Sequence, residues 1–204
     1  TMKLIEAGKL NLTDDISKFF PKFPYAGITV KSLLSQRSGL PKYEYFIDDI
    51  DPFAKELSKE YLTNTDVLNL LIKYKPPVVR APDTRFMYCN TNFALLALII
   101  EKVTKTTFPK AMEIMVFKPL EMKNTFVFQK KDMKSAARSF YNNGPKVYPY
   151  DKLDLIYGDK NVFTTPIDLL NFAVAIYSKD FLRKDLKDMI FTPYSNEKPG
   201  INNY

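Results

Sequence analysis

The sequence predicts a mostly α-helical chain with minor β hairpins, folded as a single domain over residues 1–204. Three observations carry that expectation. Apolar residues recur at helical spacing in several separate stretches. Those stretches are fenced by capping residues ahead and by Gly or Pro behind. Strand-like runs are short and few. At 204 residues and 46% hydrophobic content, the chain has enough apolar surface for one ordinary core and too much for a disordered polymer.

Taken in order, Met2, Leu4 and Ile5 lead to Gly8, a fitting residue just past a helix end. Thr13-Asp14-Asp15 can cap a short helix that runs through Phe19 and stops at Pro21. The stretch ITVKSLLSQRSGLP (28–41) enters extended, forms a short helix and stops at Gly39. Residues 51–61 carry Phe53, Ala54 and Leu57 at helical spacing. Residues 65–74 do the same with Val67, Leu68, Leu70 and Leu71, and Pro76-Pro77 stops that run. Residues 78–87, with Pro82, read as extended, and the long apolar helix follows over 91–104. Pro109 suits the first turn of a helix running toward Phe117. NTFVF (124–128) has strand character, and 136–150 reads as a hairpin turning at Asn142-Asn143-Gly144. Thr165 as cap and Pro166 at the first helical position open an amphipathic helix, and residues 180–190 form a last one.

Composition excludes several chemistries. With no histidine, His-based triads and His-ligated zinc are out. The single cysteine, Cys89, excludes an internal disulfide and cysteine-rich metal sites. Any nucleophile must be activated by Lys, Tyr or a carboxylate. Neither G-x-G-x-x-G nor G-x-x-x-x-G-K occurs, so no phosphate-cradling loop is expected. Lys and Arg number 30 against 23 Asp and Glu, a net charge of +7. The densest clusters, FQKKDMK and LRKDLKD, are interrupted by Asp and read as solvated surface, so no nucleic-acid partner is expected. The longest unbroken apolar run, 93–100, is far short of a membrane span, and no signal peptide is visible. The opening TMKLIEAGKL reads as the tail of a helix whose beginning lies outside the chain.

One stretch invites a chemical reading. In RFMYCNTNFALLALIIEKVT (85–104), Tyr88, Cys89 and Asn90 stand at the mouth of the greasiest helix. On residue types alone, Tyr88 packs and Asn90 caps, since Asn favours that position. The chemical alternative is that the Tyr88 phenol, beside an ammonium group, relays a proton. Both hold together if burying the helix body fixes its polar entrance, as a catalytic constellation requires. Cys89, between the two, is expected to point away from the cleft as a small buried hydrophobe.

Several stretches together resemble one family, the serine β-lactamase-related hydrolases: class C β-lactamases, D-alanyl-D-alanine carboxypeptidases and related esterases. LIEAGKLNLTDDISKFFPKFP is similar to the segment after that family's nucleophile helix. ITVKSLLSQRSGLPKY resembles its Leu-Leu-x-His-x-Ser-Gly-Leu-Pro stretch, with Gln36 where the family commonly has His. FMYCNTNFALLALIIEKVT resembles its Tyr-x-Asn motif and following helix. VFKPLEMKNTFVF resembles its Pro-Leu-Gly-Met-x-x-Thr turn, and YGDKNVFTTPIDLLNFAVAI its Ser/Thr-Thr-x-x-Asp-Leu segment. The matches keep family order and span nearly the whole chain.

The resemblance implies the helical region of an α+β fold in which helices pack against an antiparallel sheet with the active site between. It implies Tyr88 and Asn90 as catalytic residues, a serine nucleophile, an acyl-enzyme, and no metal or organic cofactor. It also implies a small-molecule or peptide substrate in the full-length protein, such as a D-alanyl peptide, a β-lactam or a small ester, and work in the periplasm or outside the cell. The family's Ser-x-x-Lys would fall before Thr1 and its Lys-Thr-Gly or His-x-Gly beyond Tyr204. The chain is therefore expected to be an internal piece, truncated at both ends and inactive alone. A non-catalytic binding module on the same helical scaffold is the alternative. Within the chain, Ser195-Asn196-Glu197-Lys198 spells S-x-x-K but runs into Pro199-Gly200, a turn signal. Tyr141-Asn142-Asn143 spells Y-x-N but sits at a hairpin tip, and Lys105-Thr106-Thr107 lacks the glycine of the third motif. Asp168, three residues after Thr165, reads as stabilising a helix start. Gln36 is expected to weaken a local hydrogen-bond arrangement.

Overall fold

In the computed structural model of the protein, residues 1–178 and 180–195 are described. Helix α1 (Met2–Glu6) ends at Gly8, as expected, where Lys9 N–H donates back to the Leu4 carbonyl. Asp15 caps a 3-10 turn, Ile16–Lys18, by accepting from Ser17 N–H. Helix α2 (Val30–Leu34) starts from a capping box in which Thr29 and Ser32 satisfy each other's backbone N–H. The short α3 (Tyr43–Phe46) follows the SGLP loop. Thr63 and Asp66 form a second capping box at the start of α4 (Asn64–Tyr74).

Helix α5 (Asn90–Thr104) is the centre of the molecule, in contact with α2, α4 and α6 (Phe108–Met112). From Ala94 to Ile100 every residue is apolar, which leaves no polar face to offer water, and that stretch is enclosed. Leu95, Leu96, Leu98, Ile99 and Ile100 are all buried, each worth about 1.5–3 kcal/mol by area removed from water. Beyond α6 the chain continues as a π-helical turn, Glu113–Phe117, so the helical run reaches Phe117 with a change of pitch. Strand β1 (Phe126–Val127) pairs antiparallel with β2 (Val162–Phe163), and the stacked rings of Phe126 and Phe163 face each other across the pair. Helix α7 (Pro166–Tyr177) opens on Thr165, and α8 (Lys184–Ile190) is the last helix of the described residues.

Three expectations are corrected. The helix expected over 51–61 is only a 3-10 turn, Lys55–Leu57. Phe53 is 93% exposed, so its helical spacing had no surface to cover. Asp51 Oδ1 instead accepts from Phe53 N–H, the kind of local bond that competes with a helix. The hairpin at 136–150 shrinks to a single antiparallel bridge, Phe140 with Val147. The sheet of the described residues joins segments far apart in sequence rather than a hairpin. The last helix begins at Lys184, not 180, because Arg183 N–H is taken by Glu6 Oε1.

Candidate active site

The five residues from Tyr88 to Asn92 are shared out between a cleft and the interior. Cys89 is extended (φ −149, ψ 110) and occupies the N-cap position, and α5 begins at Asn90. That corrects the expected start at 91 and the expected role of Asn90 as cap. Tyr88 turns outward and is 53% exposed. Cys89 turns inward and is fully buried, its Sγ 3.4 Å from the Leu40 carbonyl and 3.8 Å from that of Pro41. Burial pushes its thiol pKa up. The expected small buried residue is what the structure shows.

Each following side chain stitches α5 to another segment. Asn90 Nδ2 donates to Glu44 Oε1 at 2.7 Å. Thr91 Oγ1 donates to the Pro41 carbonyl at 2.8 Å and accepts from Tyr43 N–H at 2.9 Å. Asn92 accepts from Ser38 Oγ at 2.5 Å and gives its Nδ2 to Gln36 Oε1 at 2.7 Å. Gln36 Oε1 also accepts from Cys89 N–H at 3.0 Å. Gln36 therefore reinforces the local arrangement rather than weakening it.

Tyr88 and Asn90 line one cleft of about 270 Å³, together with Leu34, Gln36, Phe93, Gly158 and Asp159. The far wall depends on Gly158. Its φ is +100, and a Cβ there would lie 2.4 Å from the Phe93 carbonyl oxygen and 2.9 Å from Ala97 Cβ. Only glycine lets this loop lie directly on α5. Asn64, fully buried, anchors the loop by accepting from Tyr157 N–H and donating to the Tyr157 and Ala94 carbonyls. Tyr157 stacks on Phe108 and donates its hydroxyl to Glu101 Oε1 at 2.8 Å.

The wall is acidic. Asp159 Oδ2 accepts from Tyr43 Oη at 2.6 Å. Burial holds the Asp159 carboxyl above the usual carboxylate range, and the nearby Glu44 charge acts in the same direction. Burial, then Asp159, pushes the Tyr43 phenol up. Glu44 Oε2 and Asp159 Oδ1 are buried without a hydrogen-bond partner among the described residues. Lys42 Nζ stands 5.7 Å from the centre of the Tyr88 ring.

The sequence decoys fall elsewhere. Ser195 is buried and its Oγ accepts from Arg37 Nη1 at 2.8 Å, while Lys198 lies outside the described residues. Tyr141 packs at a tilt against Tyr148 at the exposed turn and does not line the cleft. Lys105 is the left-handed end of α5. Asp168 goes beyond a helix start: its Oδ2 accepts from Asn124 N–H and Thr125 Oγ1, both at 2.7 Å, fastening α7 to the turn before β1. Sequence reasoning missed Tyr43, Glu44 and Asp159. Gly158 carried the one usable signal; Glu44 carried none. A larger open concavity of about 880 Å³, between α6 and β1, contains neither Tyr88 nor Asn90. Among the described residues no helix is long and apolar enough to cross a membrane, and no three His, Cys, Asp or Glu stand together as a metal site.

Comparison with known proteins then finds the following. The profile of the family described as Beta-lactamase matches residues 1–201. Penicillin-binding protein 4* of Bacillus subtilis (strain 168) is 30% identical over 93% of this chain and 44% of its own length. The chain thus spans less than half of that relative. The crystal structure of a penicillin binding protein from Bacillus halodurans superposes with a TM-score of 0.76 at 26% identity, over 94% of this chain and 59% of that one. A D-amino acid amidase from Ochrobactrum anthropi SV3, complexed with L-phenylalanine amide, shares the fold with a TM-score of 0.72 at 23% identity, over 91% of this chain and 54% of the other.

Proposed function

The chain belongs to the Beta-lactamase family, and on that premise we propose that it carries the Tyr-x-Asn wall of the active site of a serine hydrolase acting on amide or ester bonds through an acyl-enzyme. One observation carries the reading: Tyr88 and Asn90 face one cleft while the three residues threaded among and after them, Cys89, Thr91 and Asn92, are wholly buried. A wall so backed keeps its two polar groups in place, which is where preorganised catalysis gains its advantage.

In this reading the serine and its lysine come from polypeptide outside these residues, as does part of the cleft. The Tyr88 phenol relays the proton between nucleophile and leaving group. Glu44 pins the Asn90 nitrogen, so the Asn90 carbonyl oxygen has a set position from which to accept from an ammonium or a substrate N–H. The substrate class is an amide or ester of modest size: a D-alanyl peptide, a β-lactam or a small ester. The site of action that goes with it is periplasmic or extracellular.

The test uses the longer protein that bears this chain, assayed with a chromogenic β-lactam, a D-alanyl peptide and a small ester. Tyr88→Phe is expected to lower kcat about 10²–10⁴-fold on the substrate that is turned over, with an unchanged melting temperature because the side chain is half exposed. A parent that turns over one of these substrates equally well with phenylalanine at 88 overturns the reading. The chain by itself is expected to take no label from a fluorescent penicillin. Labelling of any serine here would overturn that expectation, and labelling at Ser195 would make it the nucleophile.

A further inference from the structure

Helix α2 ends in a turn shaped for glycine, yet the residue there is a glutamine. Ser35 is the C-cap and Gln36 follows at φ +56. Gln36 N–H donates to the Leu33 carbonyl at 3.3 Å and Arg37 N–H to the Ser32 carbonyl at 2.8 Å, the paired bonds of a Schellman turn. Glycine is usual at that position because a side chain in the left-handed conformation is sterically penalised. A buried residue held in such a conformation is a reason to ask what its side chain does.

It brackets Tyr88. The Gln36 carbonyl accepts from Met87 N–H at 2.8 Å, just before the tyrosine. Its Oε1 accepts from Cys89 N–H, just after it, and from Asn92 Nδ2, two residues past Asn90. The contrast with α4 is instructive. There the N-cap N–H of Thr63 is satisfied from within the helix by Asp66. At α5 the N-cap side chain of Cys89 makes no capping bond, the equivalent Asn92 side chain is turned to Gln36, and Gln36 supplies the missing acceptor from the turn that ends α2.

We propose that Gln36 is a positioning residue, whose side-chain oxygen holds Tyr88 and Asn90 at the cleft wall by a double acceptor that protonation cannot remove. The positioning role rests on the reading that Tyr88 and Asn90 work in this cleft; the clamp itself does not. The chemistry asks for one atom taking two N–H donors. An amide oxygen has two lone pairs and does not titrate near neutrality. An ionised carboxylate does the same, whereas imidazole offers one acceptor nitrogen when neutral and none when protonated. The charged groups nearby are Arg37, which is paired with Asp83, Lys42 over the Tyr88 ring, Asp159 on the same cleft, and Glu44 behind Asn90. All are present in every variant, so variant-to-parent ratios remove their titration.

The chain carries its own reporter, since its one cysteine, Cys89, lies inside the bracket and is fully buried. The experiment measures the labelling rate of Cys89 by an aromatic disulfide reagent between about pH 5.5 and about pH 8, with thermal melts, for the parent and Gln36→Gly, Gln36→Glu and Gln36→His. Gln36→Gly suits the turn and is expected to fold, yet to be labelled at least ~10-fold faster at every pH, a shift of about 1.4 kcal/mol in the closed-to-open equilibrium. Gln36→Glu is expected to stay within about threefold of the parent at neutral pH. Gln36→His is expected to fall between the parent and Gln36→Gly at the alkaline end, where one acceptor is left, and to reach Gln36→Gly at the acid end, with the change centred near the imidazole range of about 6.5.

Labelling of Gln36→Gly at the parent rate, with an equal or higher melting temperature, leaves Gln36 a mere helix cap and overturns the proposal. Should Gln36→Gly unfold, a pH-independent ratio for Gln36→His overturns it instead. In the longer protein, Gln36→Gly is expected to lower kcat at least ~10-fold with KM nearly unchanged. An unchanged kcat in an active parent whose Tyr88→Phe variant is impaired also overturns the positioning role. A longer protein with no Tyr88-dependent activity, together with the expected labelling pattern, overturns the functional reading and the positioning role and leaves the clamp standing.

Discussion

Helices α5 and α7 look alike in sequence and end up in opposite situations. Both are strongly apolar and both are entered through a short polar stretch, Tyr88–Asn92 in one and Thr164–Asp168 in the other. The body of α5 is enclosed on all sides, whereas α7 exposes Ile167 (73%), Leu170 (61%), Val174 (61%) and Tyr177 (76%). Their entrances differ in the same sense. At α7 the side chains start the helix and fasten it to the turn before β1: Thr165 Oγ1 accepts from Asp168 N–H, and Asp168 Oδ2 accepts from Asn124 N–H and Thr125 Oγ1. That entrance is a joint. At α5 the side chain at the cap position makes no capping bond; three residues are sunk into the SGLP loop and two are left facing a cleft. A helix whose body is fully gripped can hold polar groups outward without their being needed to start the helix.

The largest effect that separates the two helices is expected from emptying each in turn. Leu95→Ala removes side chain from a fully buried site and is expected to cost about 2–5 kcal/mol. Leu170→Ala, on the open face of α7, is expected to stay within about 0.5 kcal/mol. Urea melts of the two variants check this, and comparable losses would erase the contrast. A middle-sized effect belongs to the entrances. Asn92→Ala strips Gln36 Oε1 of one donor and Ser38 Oγ of its acceptor in a dry interior, a loss of about 1–3 kcal/mol. Thr165→Ala removes an ordinary cap, about 1 kcal/mol. If Thr165→Ala proves the more costly in the same melts, the α5 entrance is not the more deeply built of the two.

What was legible in the sequence divides along the same line. The helices α4, α5 and α7 could be read because each joins an apolar helical period to a local boundary signal, Pro76-Pro77 after α4, the polar triplet ahead of α5 and Thr165-Pro166 at α7, although the cap position expected of Asn90 falls to Cys89. Tyr88 and Asn90 could be singled out because a polar triplet directly ahead of an apolar run is locally odd. The helix expected over 51–61 failed because spacing alone does not say whether Phe53 has anything to cover. The pairing of Phe126 with Phe163 was illegible because it joins segments that only the closed fold brings together. Glu44 and Asp159 were illegible for the same reason: their meaning lies in the partners they meet, Asn90 and Tyr43, and in the donors they lack. Gln36 could be seen only as a departure from a pattern, since its left-handed backbone and its two donors are not written in its neighbours.

The subtlest effect is expected from the buried acids, and it tests whether the cleft wall is tuned differently from the joint. Asp168 has two donors on one oxygen, whereas Asp159 has a single donor, Tyr43, and a second oxygen with none. Burial raises the Asp159 carboxyl above its ordinary value, so the folded chain holds that proton more tightly than the unfolded one. The stability this contributes is whole below the unfolded value of about 3.9 and is lost as the pH climbs through the raised folded value. Asparagine keeps an acceptor for Tyr43 and cannot ionise. The urea midpoints of the parent and Asp159→Asn are therefore expected to lie close together near about pH 4 and to separate in favour of the variant toward about pH 7. A gap that stays flat with pH, or widens in favour of the parent, means that the wall accommodates the Asp159 charge without penalty. The acidity of the cleft would then owe nothing to its burial.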